Sequence, residues 1–353
     1  MKQFIFFLLA LAALGCTKET EVVKYVDKVY SWTEDSYFSH YYVTLDNSYS
    51  SGDCLFVSGT KLFTEIKLEN GSLSHESCYS PSHEISSRTS IGEKYFSRPP
   101  NQLGKYIEIY MNDWNQYRGY YTFDMEAIDS SFRFFSSPAY YLYPMSCIMG
   151  DYIMIPYNDS WGHLKALLCK MKYLSTYSEE HLDIESMKIL MLDDFPSTTL
   201  LTTINTDGNA FFITTSKTKL LIVDTKGNVN SFPRCEATGF VKVSDRLSYL
   251  LSDYCAIRIE NSSTPILMAF ESNLEHGMNY SCIAGKVVAY RYSQMWETTI
   301  QNGRIDFREL KNDGIAGNLI TSINQLGDSL VYATTLSGGF YKPLDKFFAD
   351  TVK

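Results

Sequence analysis

The sequence predicts an all-β chain closed into a ring of repeated four-stranded antiparallel sheets, most simply seven of them. Three observations carry this. Beyond residue 30 the apolar residues alternate with period two, in segments rich in Thr, Val, Ile, Tyr and Phe. Polar turns at Asp, Asn and Gly interrupt them about every 8–12 residues. Strand–turn–strand units begin near residues 54, 106, 151, 210, 249, 286 and 328, a mean spacing of about 46 residues, the length of one four-stranded sheet in a ring.

The clearest unit is residues 210–232, where Ala210–Thr214 and Leu220–Asp224 read as strands around a turn at Ser216–Lys219, and Lys226-Gly227-Asn228 turns into an outer strand. A sheet with two apolar faces is unstable alone, whereas stacking sheets in a ring buries both faces. Strand-like sequence runs almost to the C-terminus, and residues 22–45 can supply a strand that seals the ring. The body so described resembles the seven-bladed β-propellers found in many exported bacterial proteins. The likeness implies a fold and no activity, because no unit carries a WD, kelch or metal-binding repeat motif. Residues 161–194 depart from the pattern: Leu, Lys, Met and Glu predict a short helix around 170–192, placed as an insertion between blades or a long outer-strand loop.

At the N-terminus, Met1–Cys16 reads MKQFIFFLLALAALGC. The apolar run Phe4–Leu14 is too short to span a bilayer as a helix and reads as an export segment. Ala13-Leu14-Gly15-Cys16 resembles a bacterial lipobox. That resemblance implies removal of residues 1–15 and attachment of lipid to Cys16; the polar segment after it reads as a tether over 16–30, and the repeat pattern gives one propeller domain over 31–353. Lys18-Glu19 and Glu21, with Thr20 between the acids, resemble imperfectly the export signal of surface lipoproteins in the Bacteroidota. Asp328-Ser329-Leu330 and Asp350-Thr351-Val352 resemble O-glycan acceptor sites of the same lineage. The expected location is the outer membrane, facing either the periplasm or the surface.

Composition removes several function classes. With 31 Lys+Arg against 40 Asp+Glu the net charge is −9, the wrong field for a nucleic-acid backbone. The 27 Tyr and 21 Phe give too much to bury for a disordered chain. No GxSxG, HExxH, P-loop or dinucleotide-binding fingerprint stands in the body, and no cofactor is assigned. Asp193-Asp194 and Glu179-Glu180 are adjacent acids, which rarely straddle a substrate as a glycosidase pair must.

If Cys16 is lipidated, seven cysteines remain. Sequential pairing gives Cys54–Cys78, Cys147–Cys169 and Cys235–Cys255 with Cys282 free; the alternative is reduced, buried cysteines. His75, Cys78 and His83 bring metal-ligand types together at a spacing matching no common site. Asp224–Asn228 and Asn312-Asp313-Gly314 place oxygen ligands around glycine but read as turns. The binding candidates are loop aromatics with polar neighbours: Trp114, Tyr117 and Arg118; Trp161 and His163; Tyr290, Arg291 and Trp296. Flat rings beside amides, carboxylates and an Arg suit a sugar face or a protein surface. The expected function is therefore a non-catalytic, lipid-anchored envelope propeller that binds a glycan or a protein. Its alternatives are a glycoside hydrolase or polysaccharide lyase at the channel mouth, and a scaffold or sensor component of an envelope assembly.

Overall fold

The strands build seven antiparallel sheets: the third has five strands, the seventh takes one strand from the start of the body, and the other five are four-strand meanders in sequence order. The chain is a seven-bladed β-propeller. The computed structural model describes residues 31–349 outside 40–43, 60–61, 80–89, 99–103, 112–119, 137–145, 176–179, 195–200, 218, 233–238, 253–254, 262–264, 270–276 and 302–303. Blades 1 to 6 comprise residues 45–79, 90–124, 132–193, 201–232, 239–269 and 279–309. Blade 7 takes residues 320–343 and borrows its outer strand, Thr33–Asp35, from the start of the body. Six of the seven units read from sequence begin on the second strand of a blade, and the unit at 106 begins on the third strand of blade 2.

Clusters of buried apolar side chains fill the spaces between blades, and the second strands, such as Tyr152–Asp159 and Ala210–Thr215, are buried almost without interruption, as a sheet covered on both faces requires. In blade 3, Ile153, Leu167 and Cys169 pack toward blade 2, while Met154, Leu168 and Leu190 pack toward blade 4. The inner strands carry a second regularity. Their register shifts near the start, between Leu45/Asn47, Leu201/Thr203 and Ile320/Ser322. Buried hydroxyls meet there: Thr203 with Thr214 at 2.8 Å, Ser322 with Thr334 at 2.5 Å, and Ser322 with Ser48 of blade 1 at 2.5 Å. These bonds satisfy polar atoms that the inner strands bury.

Two expectations are corrected. The helix around 170–192 is replaced by strands Leu164–Ser175 and Glu180–Asp193, paired over twelve positions as the third and outer strands of blade 3. Its Leu, Met and Lys residues are good helix formers, but cross-strand packing overrides that weak preference. The cysteine pairing also fails among the described residues. Cys147 lies opposite Met154 and Cys169 opposite Ile153, so the two thiols point to opposite faces of one sheet. Cys54 and Cys78 stand two strands apart and offset by four residues, roughly 16 Å, where a disulfide needs under about 7 Å between Cα atoms. Cys54, Cys147, Cys169, Cys255 and Cys282 are all free thiols. Residues 1–30, with Cys16 and the tether, lie outside the described residues, as does Cys235.

Candidate functional site

Antiparallel order sends the turn between second and third strands, and the connection to the next blade, to the same end of every blade. On this end the turn of blade 3 carries Trp161, 74% exposed. The turn under it is held from within. Asp159 Oδ1 accepts the backbone N–H groups of Trp161 and His163, each at 2.9 Å, and Oδ2 is 3.0 Å from His163 Nδ1. Gly162, at φ +85°, takes the left-handed conformation that the reversal requires.

A second tier supports the first. Lys165 Nζ lies 3.3 Å from Asp159 and 3.0 Å from Asp129, a residue of the connection from blade 2, and donates to Ser131 Oγ at 2.8 Å. Tyr157 Oη donates to Asp129 at 2.6 Å. Burial opposes ionisation of both carboxyls. Hydrogen bonds from Tyr157, Ser131 and Lys165 nevertheless hold Asp129 below the ordinary carboxylate range, and those from His163, Lys165 and Trp161 do so for Asp159. Burial likewise works against the charge on Lys165, which the two carboxylates outweigh to raise its pKa. Glycoside hydrolysis needs one carboxyl kept protonated, whereas the hydrogen bonds at both of these favour the ionised form. The cluster is built to fix a turn.

The other candidates separate. Blade 6 buries Tyr290 in the core and leaves Trp296 half-buried, opposite Ala289 and Glu309. The exposed ring there is Tyr292, in the left-handed region at φ 53° with the Arg291 guanidinium 4.8 Å from its centroid. Alternation alone would put Tyr292 on the same face as the buried Tyr290; it reaches solvent because it lies past the end of strand Lys286–Arg291, in the turn where the chain leaves the sheet at positive φ. Blades 3 and 6 are not neighbours, so the ring does not bring Trp161 and Tyr292 together. Trp114, Tyr117, Arg118 and His83 lie outside the described residues.

His75 has a different role from the metal ligand considered above. It sits on the outer strand of blade 1 and bonds Asp35 of the closing strand. The cleft beside this pair, about 660 Å³, is lined by Glu34, Asp35, Tyr37, Ser72, His75 and Tyr341. Among the described residues no three His, Cys, Asp or Glu side chains gather as a metal site. Of the acidic pair, Asp193 is tied to Lys217 and Lys219 of blade 4. Asp224 accepts from the backbone of Lys226 and Asn228, which makes that glycine loop a hairpin turn.

Comparison with known proteins agrees with the architecture. The chain matches the extracellular domain of a two-component-system protein of B. thetaiotaomicron with a TM-score of 0.50 and 10% identity, over 89% of this chain and 40% of that one. BamB of Moraxella catarrhalis gives 0.48 and 11% over 85% and 83% of the two chains. PorZ of Porphyromonas gingivalis, a surface component of its type-IX secretion system, gives 0.46 and 12% over 88% and 37%. This chain therefore spans well under half the length of the first and third. The likeness is one of fold. No protein-family model and no curated protein matches the chain.

Proposed function

We propose that this protein is a non-catalytic binding propeller of the bacterial envelope, exported and held to a membrane by lipid on Cys16, and that it engages a protein partner through the blade 3 turn bearing Trp161. The observation that carries the reading is the contrast within that turn. Its polar groups are satisfied internally, yet its largest side chain is presented to water at 74% exposure. A rigid, exposed Trp costs little entropy to bury and is the commonest kind of binding hot spot. The hydrogen bonds that tie down both carboxyls at this turn favour binding over hydrolysis there. The lipobox-like sequence supports export, and so does the extracellular placement of the B. thetaiotaomicron domain with which the fold is shared.

The test is affinity capture from envelope extracts with the wild-type chain and a Trp161→Ala variant. A partner retained by the first and lost by the second is the expected result. Equal capture by both places the binding surface elsewhere, and capture of polysaccharide rather than protein transfers the site to the glycan reading. Anchoring is tested separately: labelled fatty acid should enter the wild-type chain and not Cys16→Ala.

A further inference from the structure

The exposed apolar side chains of this protein are unevenly distributed. Of twelve large ones among the described residues, five belong to blade 3, and three of these, Met187, Ile189 and Met191, stand in a row on its outer strand. That strand has fourteen residues, against three to eight in the outer strands of the other six blades. Blade 2 covers only its beginning. Leu182 and Ile184 pack into the core with Tyr121 and Phe123, but the outer strand of blade 2, Tyr120–Asp124, is five residues long. Beyond a bulge at Glu185 the stripe continues as Met187, Ile189 and Met191, 47%, 42% and 47% exposed. From Ser186 to Met191 the register to the third strand is regular, and the far edge of the strand pairs with no other described strand. Long, straight, apolar edges are the ones sheet proteins usually shorten, charge or cover.

We propose that this edge is a self-association surface, where the strand Glu180–Asp193 pairs antiparallel with the same strand of a second copy about a two-fold axis through Ile189. The sequence of the stripe argues for this occupant. Met187-x-Ile189-x-Met191 is symmetric about its centre, so the antiparallel register sets Ile189 against Ile189 and each Met against the other Met. Such a two-fold interface must be self-complementary, and this one is. One like-charge juxtaposition arises in this register, Glu185 opposite Asp193 of the second copy, and Lys217 and Lys219 already offset the charge of Asp193. Lys188 lies opposite Leu190 of the second copy and directs its ammonium to the Lys226 carbonyl of blade 4. Glu185 is paired with Lys170. The third blades of the two copies thereby become one continuous sheet, and cross-strand apolar pairs replace exposed ones. The surface lies along the outer strand and does not depend on the role given to Trp161.

Cysteine cross-linking of the full chain in intact cells tests the axis directly. Residues facing themselves across an antiparallel pair have Cα atoms about 4.5–5.5 Å apart, within disulfide range. Ile189→Cys should therefore give, on mild oxidation, a reducible band at twice the chain mass. Wild type should not, and neither should Lys188→Cys, whose two copies lie about 8 Å apart in this register. Absence of the band with Ile189→Cys, equal bands for both variants, or a band of another mass from a different protein each overturns the proposal. In sedimentation of the purified chain, Ile189→Lys should weaken dimerisation at least about tenfold with an unchanged circular dichroism spectrum. A wild-type chain that stays monomeric up to about 200 µM, beyond the range of a weak small interface, also overturns it.

Discussion

Asp35 and His75 join the two ends of the ring: the carboxylate on the closing strand bonds His75 Nε2 of blade 1 at 2.8 Å, and the same oxygen accepts Tyr332 Oη of blade 7 at 2.7 Å. Tyr37 stacks on the imidazole at 4.2 Å and its hydroxyl donates to Ser77 of blade 1. The closing strand itself pairs over only three residues, so this one buried side chain holds its own blade and the next.

Asp35→Ala should lower unfolding stability by about 3 kcal/mol, because it leaves a fully buried tyrosine hydroxyl and a nearly buried imidazole without their acceptor. Urea denaturation measures this. A loss below about 0.5 kcal/mol, the level of an ordinary surface change, means closure is held by other contacts.

Gly339→Ala tests the same junction from the backbone. A Cβ there would stand 1.9 Å from Tyr332 Oη, so the tyrosine must leave Asp35. A loss of about 2 kcal/mol is expected for such overpacking. The loss should shrink but not vanish when Tyr332→Phe is already present, since the hydroxyl clash is gone while the ring carbon Cζ, 2.7 Å from the added Cβ, remains. Equal losses in both backgrounds would assign the cost elsewhere.

At the blade 3 turn, two substitutions should separate binding from folding. Trp161→Ala should weaken partner binding at least about tenfold while leaving the unfolding midpoint nearly unchanged. Asp159→Ala should lower both, with a stability loss of about 2 kcal/mol from the unsatisfied N–H groups of Trp161 and His163. Calorimetric binding and urea midpoints on the same preparations distinguish the two.

Acidity acts in two opposite senses. Asp129 and Asp159 are depressed on folding, so their stabilisation is present above the unfolded carboxyl value near 3.8 and is lost as pH falls below it. Asp46, on the inner strand of blade 1, is raised by burial to about 6. Its contribution is complete below 3.8 and is lost as pH rises through 6. Asp46→Asn should therefore be more stable than wild type at pH 7.5 by about 2 kcal/mol, after allowance for partial exposure, with the difference closing near pH 4. A difference that is constant with pH would sink the assignment.

Much of the scaffold was legible in the residues. Period-two alternation, turn spacing and seven units set the class, and the order of strands followed because hairpins join neighbours in sequence. The closing strand fell within the expected residues 22–45, at Thr33–Asp35. The inner-strand pattern of an apolar residue followed two positions on by Asn, Thr or Ser, as at Leu45, Leu201 and Ile320, is also present in the residues. Its meaning depends on hydroxyl partners on the next strand.

The sequence by itself determined an all-β ring and a preference for reading its exposed aromatics as a binding surface, because both rest on local periodicity and residue type. Only the tertiary structure decided which face each residue takes. Bulges at Glu185 and at the inner strands change the parity of everything after them, and their positions are set by pairing with another strand. The bulge at Glu185 keeps Met187, Ile189 and Met191 on the face of Leu182 and Ile184, on a strand where helix formers predicted a helix, whereas Cys147 and Cys169 face apart through regular pairing with Met154 and Ile153, and Tyr292 meets water in the turn beyond its strand. The partner of His75 was equally unreadable, since Asp35 comes to it only when the ring closes and brings the ends of the body together.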